Sequence, residues 1–215
     1  MGFGYDVEFI RRRYNRLAAI YPVLEVLFVL PPGIRGRAVQ RLQLNPGDAV
    51  LEVGCGTGRN FRHLVKAVGP CGRIYGVDYS DNMLARARQL CLENAWSNIT
   101  LLQQDARELA LPETVNAVFF SLSYSVIPDR RKTLQRSWSC LRPGGRVVIL
   151  DSAAPTGMLW RLFRPYVLLL SRATVLGDPD ITPGQDLREL TPNVEQEEFQ
   201  LRTYAIFRGT KSGSS

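Results

Sequence analysis

One stretch, Ala49-Val-Leu-Glu-Val-Gly-Cys-Gly-Thr-Gly-Arg-Asn60, constrains the fold of this chain more than any other. It opens as an apolar run, Ala49 to Val53, broken only by Glu52, and then turns through Gly54, Gly56 and Gly58. Asn60-Phe-Arg-His-Leu-Val65 reads as the start of a helix. A short buried strand, a glycine turn and a helix N-terminus form the nucleotide-cradling unit of an open α/β sheet. Glycine lets the backbone approach a ligand and take positive φ, and the free N–H groups beyond it favour electron-rich atoms. The spacing is Glu-x-Gly-x-Gly-x-Gly, not the Gly-x-Gly-x-x-Gly of dinucleotide binders.

Downstream the chain alternates between strand and helix patterns. Strands are expected at Ala49–Val53, Arg73–Val77, Ile99–Gln103, Ala117–Ser121 and Val147–Leu150. Helices are expected near Asn60–Val68, after an N-cap at Ser80, and over Arg130–Leu141. Such alternation implies a largely parallel sheet covered on both faces. Two short strands, Glu198–Leu201 and Thr203–Arg208, close the chain after a polar loop from Gly177 to Pro192.

The flanks have a different character. Ile10, Tyr14, Leu17, Ala18 and Tyr21 recur at helical spacing, with Arg12, Arg13 and Arg16 on another face. A further helical segment is expected at Ile34–Leu42. Met158–Leu170 is strongly apolar, with Arg161, Arg164 and Arg172 along one face. Net charge is +7 over 215 residues, and the excess gathers early, at Arg11, Arg12, Arg13, Arg16, Arg35, Arg37 and Arg41. A basic surface suits nucleic acid, an anionic membrane or an acidic substrate, or is simply a solvated face. Leu17 to Leu30 holds Pro22 and Glu25 and is too short to span a bilayer. Cys55, Cys71, Cys91 and Cys140 show neither C-x-x-C pairing nor a nearby histidine cluster, so neither a metal site nor a disulfide framework is expected.

Four segments together carry a resemblance. Leu51-Glu-Val-Gly-Cys-Gly-Thr-Gly58, Gly76-Val-Asp-Tyr-Ser80, Gln104-Asp-Ala106 and Leu141-Arg-Pro-Gly-Gly145 resemble, in order, the motif set of class I S-adenosylmethionine-dependent methyltransferases. The Tyr14-to-Tyr21 pattern extends the likeness to the quinone and phospholipid methyltransferases of the UbiE/COQ5 and phosphatidylethanolamine N-methyltransferase type. The resemblance implies a Rossmann-like α/β fold, with a seven-stranded, mostly parallel sheet, helices on both faces and an N-terminal helical lid. As a single domain it divides into the lid (1–43), a cofactor-binding core (44–151), a helical and loop substrate region (152–192) and a C-terminal strand pair (193–211).

The resemblance also implies residue roles. Asp78, twenty residues after Gly58, matches the carboxylate that accepts the ribose hydroxyls; its other reading is a turn or capping residue. Glu52 matches the acidic residue that helps hold the amine of the methionine end. Its burial in an apolar strand makes its charge costly unless it is paired. Gly54, Gly56 and Gly58 let the backbone pass beneath the cofactor, and Cys55, Thr57 and Asn60 belong to the same cofactor-binding set. Tyr79 belongs to the same cofactor set, and Met83 matches the position that packs on the adenine face, though a core methionine would look the same. Asp105 and Ala106 lie beside the adenine, with loop capping the alternative for Asp105. Ser121 closes the set at the end of the fourth strand.

Methyl transfer by in-line displacement needs alignment and exclusion of water more than covalent help. Tyr14 and Tyr124 are the catalytic candidates, and Tyr21 and Tyr124 the substrate candidates; core packing is the competing reading for each. His63, the single histidine, reads as a solvated helix residue. The expected reaction is transfer from S-adenosylmethionine, leaving S-adenosylhomocysteine and using no metal, to a lipophilic acceptor: a phospholipid or lipid amine first. Alternatives are C-methylation of a quinone-type ring, or a soluble small-molecule or nucleic-acid acceptor. The expected setting is cytoplasmic with peripheral contact at an anionic membrane surface. The bland reading of the basic, apolar flanks is that they only cover the sheet.

Overall fold

The computed structural model describes residues 30–152, 181–199 and 203–213, together with Arg12 and Pro165. Seven strands form one sheet: β1 (Ala49–Val53), β2 (Arg73–Asp78), β3 (Ile99–Gln103), β4 (Val115–Ser121), β5 (Leu141–Ser152), β6 (Val194–Phe199) and β7 (Tyr204–Thr210). Their spatial order is β3-β2-β1-β4-β5-β7-β6. Pairings from β3 through β5 are parallel, and β7 runs antiparallel to both β5 and β6. The described helices are α1 (Ile34–Arg41), α2 (Phe61–Val68), α3 (Asp81–Glu93), α4 (Arg130–Ser139) and α5 (Pro183–Arg188).

Alternation along the central strands sorts the core into two layers. In β4, Val118 and Phe120 enter one cluster with Leu134 of α4 and Leu187 of α5. Ala117 and Phe119 enter the other, with Ile34 and Ala38 of α1, Phe61 and Leu64 of α2, and Leu84 and Ala87 of α3. All five residues of β1 are buried, as expected of a central parallel strand covered on both faces. Glu52 falls on the same side as Val50, beneath α1 and α2. Truncating Phe119 or Phe120 to alanine would cost about 3–5 kcal/mol.

Several boundaries differ from the sequence expectation. The polar loop expected over Gly177–Pro192 contains α5, which buries Gly184 and Leu187 against β6 and β7. Its Leu187 meets Gly209 so closely that a Cβ there would lie 3.0 Å from the leucine side chain. β6 begins at Val194, four residues before the strand expected from Glu198. Its Val-Glu-Gln-Glu-Glu-Phe sequence hides a strand because an edge strand carries charge on its open side. Those charges are used: Arg37 pairs with Glu197 at 2.6 Å and Arg41 with Glu195 at 2.8 Å, tying α1 to the far edge of the sheet. Leu141, expected to end a helix, instead begins β5, because Cys140 already caps α4. The N-cap at Ser80 forms as expected, its Oγ accepting the Met83 N–H at 3.1 Å. Tyr14, Tyr21 and most of the two basic, apolar flanks lie outside the described residues.

Candidate functional site: a cleft at the strand-order reversal

Strand order reverses between β1 and β4, and crossovers leaving in opposite directions open a crevice beyond the strands' C-terminal ends. Four loops line the resulting cleft. The turn after β1 contributes Gly54, Cys55, Gly56, Thr57, Arg59 and Asn60, and the end of β2 with the start of α3 contributes Asp78, Tyr79, Ser80 and Met83. Gln104, Asp105 and Ala106 follow β3, and Ser121, Leu122, Ser123, Ile127 and Pro128 follow β4. Arg35 reaches in from α1.

The glycine turn is held from both sides. The N–H groups of Gly54 and Cys55 both donate to the Val77 carbonyl, at 2.8 and 3.0 Å. Gly54 has φ of +69°, and a Cβ there would stand 2.6 Å from the Ser123 Cβ, so the β1 and β4 loops pass without room for a side chain. At Gly56, also at positive φ, a Cβ would meet nothing within 4 Å; that open space belongs to the cleft. Leu122 adopts a positive φ of 56°, a conformation costly for a branched side chain and often retained at binding sites.

Three carboxylates set the electrostatics. Glu52 is 1% exposed. Its Oε1 accepts the Asn60 Nδ2–H at 2.5 Å, and its Oε2 is buried with no partner among the described residues. Burial pushes its pKa up to about 8, against the opposing pull of the Asn60 hydrogen bond and the Arg35 charge. Asp78 accepts the Gly56 N–H at 2.8 Å through one oxygen and the Ser80 N–H at 2.9 Å through the other. Burial raises its pKa, and those backbone donors partly restrain the rise. Burial would raise Asp105 as well, but the Arg107 guanidinium and backbone N–H outweigh it and hold its pKa below the ordinary value.

The cleft gathers most of the expected cofactor residues: Gly54, Cys55, Gly56, Thr57, Asn60, Asp78, Tyr79, Met83, Asp105, Ala106 and Ser121 all line it. Glu52 stands one layer behind Asn60. Gly58 also lies behind the wall, where a Cβ would come within 2.6 Å of the Phe61 ring. Asp105 lines the cleft while its oxygens accept from Arg107 and cap the 3-10 turn that follows. His63 is half-buried rather than solvated, and burial with the charges of Arg62, Arg35 and Lys66 lowers its pKa.

Tyr124 is the clear correction. Its ring is fully buried, edge-on to Phe120 at 5.4 Å, and its O–H donates to Asp186 Oδ2 at 3.0 Å. Asp186, itself 3% exposed, also accepts from Arg130 and Arg131 at 2.9 and 2.8 Å. Tyr124 therefore ties the turn after β4 to α5 within the core and does not line the cleft. Burial and the neighbouring Asp186 charge drive its pKa far above the ordinary phenol value, which keeps it protonated.

Known proteins of this kind match both the sequence and the fold. The family described as "Methyltransferase domain" matches residues 50–145. The demethylmenaquinone methyltransferase of Desulfitobacterium hafniense (strain Y51) is 32% identical over 152 residues, covering 69% of this chain and 60% of that protein. Haemonchus contortus phosphoethanolamine N-methyltransferase 2, solved with S-adenosyl-L-methionine, superposes with a TM-score of 0.68 at 19% identity, over 84% of this chain and 53% of that one.

The chain has the Rossmann-like fold of the class I methyltransferases, and its residues 50–145 match the methyltransferase-domain family.

The chain spans less than two thirds of the length of that demethylmenaquinone methyltransferase. The fold is also shared by the [4+2]-cyclase SpnF, at TM-score 0.65 and 16% identity over 84% of this chain and 81% of that one, so chemistry must be argued from residues. Arg35 is the cleft residue that the sequence pattern leaves unassigned. Its guanidinium Nη1 donates to Asn60 Oδ1 at 3.2 Å and to Ser121 Oγ at 3.1 Å. No local pattern could reveal this, since Ser121 lies 86 positions away.

Proposed function

We propose that this protein binds S-adenosylmethionine in the cleft and transfers its methyl group to a lipophilic acceptor, a quinone-type ring carbon ahead of a lipid amine. The observation that carries the cofactor reading is the unpartnered Oε2 of Glu52. A buried carboxylate oxygen without a donor is costly, and an ammonium reaching it through Asn60 or a bridging water would relieve that cost. The carboxylate of Asp78 retains lone pairs beyond the two used by Gly56 and Ser80, enough to accept ribose hydroxyls. The open space at Gly56 and the apolar Met83 and Tyr79 suit the nucleoside.

When bound, S-adenosylmethionine supplies an electrophilic methyl group on a sulfonium. The chain's own part is to hold and orient: Asp78 fixes the sugar, Glu52 and Asn60 the amino-acid end, and the β4 loop from Ser121 to Pro128 walls the cleft against water. Demethylmenaquinone methyltransferases among the relatives favour the ring-carbon acceptor, whereas support for a lipid amine comes only from the fold shared with the phosphoethanolamine enzyme. Peripheral contact with an anionic membrane is part of the proposal, since a lipophilic acceptor resides there. Among the described residues no helix is long and apolar enough to cross a membrane.

The test supplies labelled S-adenosylmethionine with a reduced demethylated naphthoquinone in detergent, and in parallel with phosphatidylethanolamine vesicles. Label in the quinone fraction is expected. Label only in the phospholipid would reverse the order of acceptors, and binding of S-adenosylhomocysteine without transfer to either would point to a binding module or another acceptor class.

A further inference from the structure

On the S-adenosyl reading above, we propose that Asp151, at the end of β5, is a positioning residue that sets the β4 wall of the cleft by holding Ser125. Neither residue lines the cleft itself. Asp151 is 2% exposed. Its Oδ2 accepts the Ser125 N–H at 2.9 Å, and its Oδ1 accepts the Ser125 Oγ–H at 2.8 Å and the Ser152 N–H at 2.7 Å. The two oxygens of one buried carboxylate thus grip a single serine by its backbone and its side chain. Burying a carboxylate among neutral donors is costly. That burial raises the pKa of Asp151, and the Ser125 and Ser152 donors oppose the rise.

The grip fixes the turn that does line the cleft. The Leu122 N–H still donates to the Leu150 carbonyl at 2.7 Å, extending the contact of β4 with β5, and Leu122 then takes a φ of 56°. The reversal sends Ser123 toward β1, where its Oγ donates to the Val53 carbonyl at 2.8 Å, and brings Ser125 back to β5. A leucine in the left-handed region persists only where its surroundings over-determine it, and these two serine anchors follow it directly. Ser123 in turn occupies the space beside Gly54, its Cβ 2.6 Å from where a Gly54 side chain would begin. Leu122, Ser123 and Gly54 all line the cleft, so a shift at Ser125 reaches two of the loops that would hold the cofactor. Tyr124 supplies the contrast. Its ring is seated edge-on to Phe120 in the core whether or not its hydroxyl is bonded. Ser125 has no ring to locate it, and both its donors go to Asp151.

The experiment is isothermal titration of S-adenosylhomocysteine into the wild type, Asp151→Asn, Ser125→Ala and Tyr124→Phe, with a thermal melt of each. An asparagine cannot reproduce the grip: whichever way its amide turns, the NH2 faces the backbone N–H of Ser125 or that of Ser152. Asp151→Asn should bind about tenfold or more weakly than the wild type. Ser125→Ala, which keeps the N–H, should bind about threefold more weakly. Tyr124→Phe, which loses a hydrogen bond in the same turn, should stay within about twofold of the wild type. A purely structural role would lower the melting temperatures of Asp151→Asn and Tyr124→Phe and leave both affinities at the wild-type value; that result overturns the proposal. Equal weakening by Tyr124→Phe and Asp151→Asn also overturns it, since any loosening of the turn would then suffice. Should Asp151→Asn fail to fold, Ser125→Ala decides on the same terms, and wild-type affinity there overturns the proposal. A folded wild type that does not bind S-adenosylhomocysteine would sink the S-adenosyl reading and the assignment with it. Wild-type binding that Asp151→Asn leaves intact would sink the assignment of Asp151 alone.

Discussion

Asn60 donates to Glu52 at 2.5 Å inside the core, and the other oxygen of the same carboxylate has no described partner. This half-satisfied pair lies immediately behind the cleft wall. Its cost to the free protein is linked to protonation. Glu52 holds its proton up to about pH 8 when folded, against an ordinary value of 4.5. Between those values the folded state binds more protons than the unfolded one, so stability present below pH 4.5 is lost as pH rises and levels off above 8.

Glu52→Gln should therefore remove a pH-dependent component of stability. Relative to the variant, the wild type is expected to lose up to about 1.4 kcal/mol per pH unit through this window. Chemical denaturation of both proteins at pH 5, 6.5, 8 and 9 measures the difference. Parallel curves would mean that Glu52 titrates normally.

Asp78 ties the glycine turn to α3 through backbone donors and leaves lone pairs toward the cleft. Asp78→Ala should weaken S-adenosylhomocysteine binding by more than about tenfold, as expected for losing charge-assisted hydrogen bonds. Circular dichroism should show the fold retained. Undiminished affinity would mean the ribose is held elsewhere.

Tyr124 tests the difference between a core residue and a catalytic one. Tyr124→Phe keeps the ring against Phe120 and deletes only the hydrogen bond to Asp186, which retains Arg130 and Arg131. A loss of about 1 kcal/mol in stability is expected, with methyl transfer per folded molecule unchanged. A collapse in transfer at full stability would restore the catalytic role.

Gly54→Ala combines a clash with Ser123 and a positive φ, and should destabilise by roughly 2 kcal/mol or more while weakening cofactor binding. Adding Ser123→Gly should recover the steric share but not the backbone share. Thermal melts of the single and double variants separate the two.

The glycine turn, Asp78 and the Ser80 cap were legible in the chain because their meaning is local: each is fixed by neighbours within a few residues and by the end of one strand. The central strands read clearly because burial on both faces makes them continuously apolar. β6 did not, because its glutamates are matched by arginines of α1 about 160 positions earlier. Asp105 was ambiguous in sequence because one carboxylate serves equally as a cap or a ligand, and only the proximity of Arg107 decided how its oxygens are used.

By itself the sequence determined the layered α/β architecture and the glycine cradle at the head of the cleft, since hydrophobic period and glycine spacing act along the chain. Tertiary structure alone decided which distant side chains complete that cradle. It carried Tyr124 into the core beside Asp186, and it drew Arg35 across to Asn60 and Ser121. Such contacts depend on how helices pack over the sheet, and no spacing within either partner's own segment encodes them.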